Sequence, residues 1–513
     1  MEEQKKRGAP WLLVALIALI VALLRAPMWY APLTRDEGIF GIIAQDCLKG
    51  YLPFTTLMEN KAPLLFYLYA IPLAFTNPDN YVAIRIFATL IFMGSAVLLF
   101  IFARTFMSDK GALFCYTLYG LSSLGTGIEG FIASSELLIT LPLIGSLLFL
   151  SKGEKGRSLF LSGFCLGAAT MIRQTSVLYF ASLLLCLVII PISEKRKFSL
   201  RPLLMASAGF LALPLFFLIL YAAKGALLDL YTGTVICALA SRETPAQSLG
   251  ERLLSFFQMS KGAIIENPLT FLMAVPAFIV FVLKCRDLRT KVPVILFFCA
   301  SLTAINLTRT FCPKNFHQLL PFSALLVAWL FDLITSSPRR AFRLTAYAAS
   351  LLMLVVFFCR IAPFLPGAPP PGRALYLTIM PESFVDAREI GIALRNATKP
   401  HEAILLYGVE PEMVFFTLRP NPMKHQLHFL LFLSGSHRKG DRSLTGWLMK
   451  FQRENLEKIR QNPPRFIVLS APLFTYDKEV YYLPDRIDKM VAVQYRLRGT
   501  FGVYHIYKRE DRK

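Results

Sequence analysis

Apolar runs long enough to cross a bilayer follow one another through the first 360 residues, and this succession constrains the fold more than any other feature. They lie at Trp11 to Met28 and near 82–103, 112–128, 135–151, 158–172, 174–193, 203–223, 267–283, 292–309, 315–335 and 342–360. A span needs about 20 residues, with roughly 17 as the lower limit, so several are marginal in length. Hydrophobic residues make up 55% of the 513 and charged residues 17%, against roughly 25% charged in an average soluble domain. That balance excludes disorder, a collagen-like chain and a single soluble core. A polytopic α-helical membrane protein of about eleven transmembrane helices is expected.

The formal net charge of +22 would suit a nucleic-acid binder, but its distribution argues otherwise. The basic residues sit in short clusters between apolar runs, where positive charge holds loops on the cytoplasmic side, and no basic face on a folded module is evident. No nucleic-acid partner is expected. The nine cysteines (Cys47, Cys115, Cys165, Cys186, Cys237, Cys285, Cys299, Cys312 and Cys359) form no CxxC pair and fall mostly inside apolar runs. They read as small buried hydrophobes, neither a disulfide framework nor a zinc site.

Lys5, Lys6 and Arg7 precede the first run and Trp29-Tyr30 ends it, which orients it with its N-terminus in the cytoplasm. It is long for a signal peptide, lacks a convincing cleavage site and precedes further spans, so it reads as a retained helix. The clusters Arg104/Lys110, Lys152/Lys155/Arg157, Lys195/Arg196/Lys197/Arg201, Lys284/Arg286/Arg289/Lys291 and Arg339/Arg340/Arg343 then fall at every second boundary. This parity holds only if the short apolar piece Pro63–Phe75 does not cross. It is expected to lie at the outer interface as a helix, capped by Asn60 with Pro63 in its first turn.

Three segments are then extracytoplasmic: a loop at 29–81, a loop at 224–266 and the tail. The expected domains are a transmembrane domain over 1–364 and a small α/β domain over 365–513. The tail opens with the stiff linker Pro366 to Gly372. It continues with helical stretches at 383–397 and 443–460 and with strands at Ala403–Tyr407, Arg465–Leu469, Val491–Arg496 and Gly502–Tyr507.

The first outer loop carries the strongest chemistry. Arg35-Asp36-Glu37 follows the first span directly, and Glu59-Asn60-Lys61-Ala62-Pro63 precedes the interfacial helix. Two acids at a span end are equally compatible with a solvated loop start. The order of parts, however, suits a carboxylate held near the bilayer surface with a cation where a lipid phosphate would lie. Arg85 stands at the outer end of the second span, where a snorkelling arginine is common. Arg173-Gln174 occupies an outer turn with no acid near it in sequence, which fits an anion site as well as a polar turn. Glu136 falls in the first turn of a helix, favourable with the macrodipole, yet it enters an apolar run where a contact to a substrate hydroxyl competes with that role. Lys314, His317 and Gln318 cluster at the outer start of the tenth span. His425, His428 and His437 match no metal-site spacing and read as exposed, so no metal site is expected from them.

Five of these pieces, in order, resemble the GT-C superfamily of polytopic glycosyltransferases, in the branch of protein O-mannosyltransferases and the lipid A aminoarabinose transferase. They are Arg35-Asp36-Glu37-Gly38, Glu59 through Leu65, Ser135-Glu136-Leu137, Met171-Ile172-Arg173-Gln174 and Asn315 through Pro321. A sixth, Leu406 through Glu412, resembles a strand-turn of bacterial members. Ala62 stands where the family usually has a second proline, Asn315-Phe316 replaces a more aromatic pair, and Glu136 occupies a position that is often Asp.

The resemblance implies a polyprenyl-phosphate sugar donor in the outer leaflet of the plasma (inner) membrane, with the active site facing the periplasm. It implies inverting transfer to an acceptor hydroxyl, with Asp36, and beside it Glu37, as catalytic residues and Asp36 as general base. Cations near the departing phosphate would stabilise its charge, and Lys61, Arg85 and Arg173 are the candidates. Glu136, Gln174, Lys314 and His317 are the candidate substrate contacts. The acceptor is open between a protein, lipid A and an envelope glycan. No cofactor is firmly implied, although Asp36-Glu37 has the oxygen ligands for a divalent metal. The competing expectation is a flippase or transporter of lipid-linked sugar. That would place polar groups near the bilayer midplane and often repeat its halves, whereas these charges gather at one face and no repeat is found.

Overall fold

The computed structural model describes residues 10–240, 248–307, 312–338, 382–408, 410–425, 442–470, 483–502 and 504–510, with single positions 344, 348, 351 and 355. Apart from those four positions, the expected run at 342–360 lies outside the described residues. So do the Arg339/Arg340/Arg343 cluster, the proline linker, His428 and His437.

The described chain is mostly helical. Among the described residues, five helices are long and apolar enough to cross a membrane by length and composition: Trp11–Tyr30, Tyr81–Ala103, Gln174–Ser193, Arg201–Ala223 and Leu288–Leu307. Shorter apolar helices cover four of the five remaining expected runs up to 335: Ser135–Ser151, Gly156–Ile172, Pro268–Lys284 and Leu320–Thr335. The piece expected at the interface is the helix Leu64–Ala74, eleven residues and hence about 16 Å long. That is far short of a hydrocarbon core of about 30 Å.

Local chemistry moved several boundaries. Asn60 does not cap the Leu64–Ala74 helix: Pro63 is the N-cap without a side-chain bond, and the Asn60 amide oxygen accepts from Lys61 Nζ at 2.6 Å. The run expected over 112–128 is α-helical only to Ser122, with a single 3-10 turn at Thr126–Ile128. Beyond Ser122, Gly127 donates its N–H to the Glu266 carboxylate at 2.6 Å, and Glu129 adopts a left-handed φ of 51°. The segment 224–266, expected only as a loop, contains the helix Leu249–Glu266. A capping box starts it: Ser248 N–H donates to Glu251 at 2.6 Å and Ser248 Oγ accepts from Glu251 N–H at 3.2 Å.

The chain forms two compact units. The first comprises Met1–Tyr30, Arg85–Phe217 and Ser248–Gly372, and the second Ala31–Ile84, Leu218–Gln247 and Arg373–Lys513. In the first unit, a bundle of apolar helices buries a core that includes Phe92, Tyr119, Leu143, Tyr179, Phe297 and Phe322.

In the second unit, the helix Arg35–Leu48 packs on Leu64–Ala74 through edge-on ring contacts of Phe40 with Phe66 and Tyr69. A four-stranded sheet holds β1 (Ile404–Tyr407), β2 (Phe466–Ser470), β3 (Tyr495–Phe501) and β4 (Tyr504–Arg509) in the order β1-β2-β4-β3. β1 and β2 run parallel, while β4 is antiparallel to both its neighbours. Val491–Gln494, expected as the start of a strand, is instead the last turn of the helix Leu483–Gln494. Leu483, Ile487 and Val491 recur at intervals of four and are all buried, a helical period that outweighs the local Val-Ala-Val alternation.

Candidate active site

Asp36 lies in the first turn of the Arg35–Leu48 helix, half-buried, where the unpaired N–H groups of a helix start favour a negative charge. Glu37 is buried and faces the other way along the chain. Its carboxylate accepts from the Thr34 N–H at 3.1 Å and from the Thr34 hydroxyl at 3.0 Å, closing a capping box that fixes where this helix begins. Of the two adjacent acids, therefore, Glu37 sets the geometry and Asp36 is the one carried at the helix entrance.

Gly38 and Gly41 explain the rest of this turn. A Cβ on Gly38 would stand 2.5 Å from the Glu412 Cα and N, and one on Gly41 would stand 2.6 Å from the Phe415 ring. Gln45 continues the same face and donates to the Phe415 carbonyl at 3.1 Å. The glycines thus form a flat stripe on which the helix Pro411–Thr417 rests, a helix that starts at the end of the Leu406-to-Glu412 segment singled out in the sequence. Glu412 is fully buried there, and neither carboxylate oxygen meets a hydrogen-bond partner. Burial, with Glu410 adding to it and Arg35 opposing, holds its carboxyl well above the usual glutamate range.

Lys61 is half-buried and donates to the neutral Asn60 amide. The Asn60 N–H in turn donates to the buried Glu59 carboxylate at 2.7 Å.

The first unit gathers a second group of expected residues. Arg173 Nη1 lies 2.6 Å from Glu136 Oε1, with the side chains 7% and 2% exposed. The same guanidinium donates to Ser135 Oγ at 3.2 Å, to Asn315 Oδ1 at 3.1 Å and, through Nε, to Thr175 Oγ1 at 3.2 Å. The outer turn that has no acid near it in sequence therefore receives one from a distant stretch. His317 is buried and hydrogen-bonds the backbone at Ile128 and Glu129, while its Nε2 and the Gln318 Nε2 have no partner. Gln174 and Lys314 are half-buried in the flanking turns.

Arg85 does not snorkel. It is 1% exposed and its Nη1 donates to the carbonyls of Met28 and Trp29 at 3.2 and 3.3 Å, closing the end of the first span. Sequence reasoning passed over Arg25, equally buried, which donates to the Gly130 carbonyl at 2.5 Å and to Ser123 Oγ at 3.1 Å beneath the Phe92 ring. The signal was there: an arginine inside an apolar run is rare and needs a partner. Among the described residues, no group of three or more His, Cys, Asp or Glu side chains could hold a metal ion.

Comparison with known proteins adds three findings. Residues 60–221 match the dolichyl-phosphate-mannose-protein mannosyltransferase family. The fold matches ArnT from Cupriavidus metallidurans bound to undecaprenyl phosphate, with a TM-score of 0.63 at 13% identity over 98% of each chain. It also matches an archaeal oligosaccharyltransferase, AglB from Archaeoglobus fulgidus, in complex with an inhibitory peptide and a dolichol-phosphate. There the TM-score is 0.52 at 9% identity, over 97% of this chain and 74% of that one. No curated protein matches the chain by sequence.

Proposed function

We propose that the chain, which has the fold of ArnT and over residues 60–221 matches the dolichyl-phosphate-mannose-protein mannosyltransferase family, is an inverting GT-C glycosyltransferase of the O-mannosyltransferase and ArnT-like branch, using a polyprenyl-phosphate sugar. The observation that carries the reading is Asp36, half-buried at a helix start whose position is locked by the Thr34–Glu37 capping box and by the Gly38/Gly41 stripe. Asp36 accepts the proton of an acceptor hydroxyl as that oxygen attacks the anomeric carbon. The bond from the anomeric carbon to the phosphate breaks, and the polyprenyl phosphate leaves as the anion. General-base assistance of this kind contributes about 10²–10⁴-fold.

Lys61 is the cation proposed for the departing phosphate, because its Nζ donates to the neutral Asn60 amide, which leaves its charge available. Arg85 and Arg173 are assigned positioning roles instead. Arg173 is neutralised by Glu136 and holds Ser135 and Asn315, and Arg85 ties down the Met28 and Trp29 carbonyls. The eleven-span topology, with this site on the periplasmic face of the inner membrane, belongs to the same proposal.

The test is donor turnover by the purified chain in detergent, with radiolabelled polyprenyl-phosphate sugar, for the native protein and Asp36→Ala. Turnover abolished by the substitution supports the assignment. Turnover that survives it removes Asp36 from the mechanism, and donor that is moved across vesicles without being consumed would favour the flippase reading.

A further inference from the structure

The second unit contains a cavity of about 230 Å³ that nothing above uses. At about 30 Å³ per water, it has room for roughly seven waters, and it is smaller than the ~300–1,000 Å³ pockets of drug-sized ligands. A single ring fits that volume. One wall is the C-terminal half of the Arg35–Leu48 helix, contributing Gln45, Asp46 and Lys49; the others are the loop with Tyr51 and Thr56 and the turn Arg419–Asn421. A smaller cavity of about 30 Å³ shares Ile42, Leu57, Val414 and Asn421 with it.

The chemistry of the walls selects the ring. Asp46 and Lys49 pair at 2.9 Å, so they present no net charge to an anion. Arg419 is bound at 3.0 Å to the Thr398 hydroxyl and at 2.8 Å to the carbonyls of Arg395 and Thr398, which commits it to protein partners. What remains are neutral groups: the Gln45 amide oxygen, its nitrogen being spent on the carbonyls of Pro78 and Phe415, the Asn421 amide, and the Thr56 hydroxyl, which has no hydrogen-bond partner. Tyr51, 53% exposed, adds an aromatic face, and Ile42, Leu57 and Val414 an apolar floor. Alternating hydroxyl partners beside a flat ring and an apolar floor suit an uncharged polyhydroxylated ring, which has polar edges and apolar C–H faces.

Backbone conformation points to the same place. Phe54 and Leu418 have φ of 71° and 52°, a region that bulky residues rarely adopt, and each lies in a segment that walls the cavity. Such strain persists where surrounding structure holds it, and it gathers at functional sites.

We propose that this cavity binds one neutral sugar ring of a carbohydrate acceptor. Its position relative to Asp36 follows from the helix they share. Ile42 to Lys49 lie six to thirteen residues beyond Asp36, about 9–20 Å along one rigid axis. The helix then acts as a ruler: it holds a distal ring of a short glycan at one end and presents the reacting hydroxyl to the carboxylate at the other. The word acceptor rests on the transferase reading above; the binding of a sugar does not.

The experiment is saturation-transfer NMR on the full chain in detergent, without any lipid-linked donor. The probes are the methyl α-glycosides of glucose, mannose, galactose and N-acetylglucosamine. At least one should show saturable transfer in the millimolar range expected of a ligand this small. Thr56→Phe, which fills the cavity, and Tyr51→Ala, at its exposed rim, should each weaken it by at least about tenfold, while Asp36→Asn should leave it unchanged. No transfer from any of the four probes overturns the proposal, and so does transfer that Tyr51→Ala and Thr56→Phe leave untouched. An enzyme that turns over donor but binds no sugar here refutes this inference alone. One that binds sugar and never turns over donor refutes the transferase reading alone.

Discussion

Arg173 and Glu136 form an ion pair of 2.6 Å with both side chains almost wholly buried, and Asn315 completes the guanidinium's coordination from a third segment. Three stretches far apart in sequence are thereby tied at one point of the first unit. Desolvating two charges is costly, so such a pair is retained for what it holds in place more than for net stability.

Breaking that pair one-sidedly should therefore be severe. Glu136→Leu leaves the Arg173 charge buried with only neutral partners and is expected to cost about 3–5 kcal/mol, while Arg173→Met combined with Glu136→Leu should cost clearly less than those two single changes added. Thermal unfolding in detergent of the two singles and the double provides the cycle. Strict additivity would show that the pair is not coupled.

Asp36→Asn is expected to lower donor turnover by about 10²–10⁴-fold while keeping the helix start, because the capping box uses Glu37 and Thr34. Glu37→Gln should show the opposite pattern, a loss of stability of about 1 kcal/mol from a weakened cap and a smaller loss of turnover. Single-turnover kinetics with melting curves on the same preparations separate the two.

Gly38→Ala should destabilise the second unit by about 1–3 kcal/mol, since the new Cβ would stand 2.5 Å from the Glu412 backbone, which cannot move away as a flexible side chain could. Gly50→Ala is the control. Gly50 has a φ of 91° and open space around it, so it tests backbone strain alone, at about 1–2 kcal/mol. Denaturant titration of the two variants compares a steric cost with a conformational one.

Glu412 gives stability a pH dependence of unusual sign. Its carboxyl is held above the ordinary value of 4.5, so the folded protein keeps a proton that the unfolded chain has released. The contribution is full below that ordinary value and is lost as pH rises through the interval up to the raised folded value. Glu410 pushes the same way and Arg35 opposes it. Glu412→Gln, which keeps the shape and cannot ionise, should flatten the fall in melting temperature as pH rises above the ordinary carboxyl value of 4.5. A variant and native chain that lose stability in parallel over this range would show that Glu412 ionises normally.

Much of this was legible from the chain alone, because the signals are local. A helix in lipid is declared by the summed hydropathy of neighbouring residues, so the runs from Trp11 to 335 could be read directly. The Thr34–Glu37 spacing is local too, yet the helix start it makes lies in a segment expected only as a loop. The spacing of Leu483, Ile487 and Val491 was equally local, and was overlooked beside a stronger-looking strand pattern.

What only the tertiary structure decided is which distant side chains meet. Arg173 carried the mark of an anion site until Glu136 and Asn315 arrived from other segments to occupy it. Gly38 could be seen as part of a motif, yet its reason, the close approach of Glu412, exists only once the tail has folded onto the Arg35–Leu48 helix. Hydropathy and capping are fixed by residues a turn or two apart. Charge pairing, cavities and close packing depend on contacts across hundreds of residues, and those are settled by the fold as a whole.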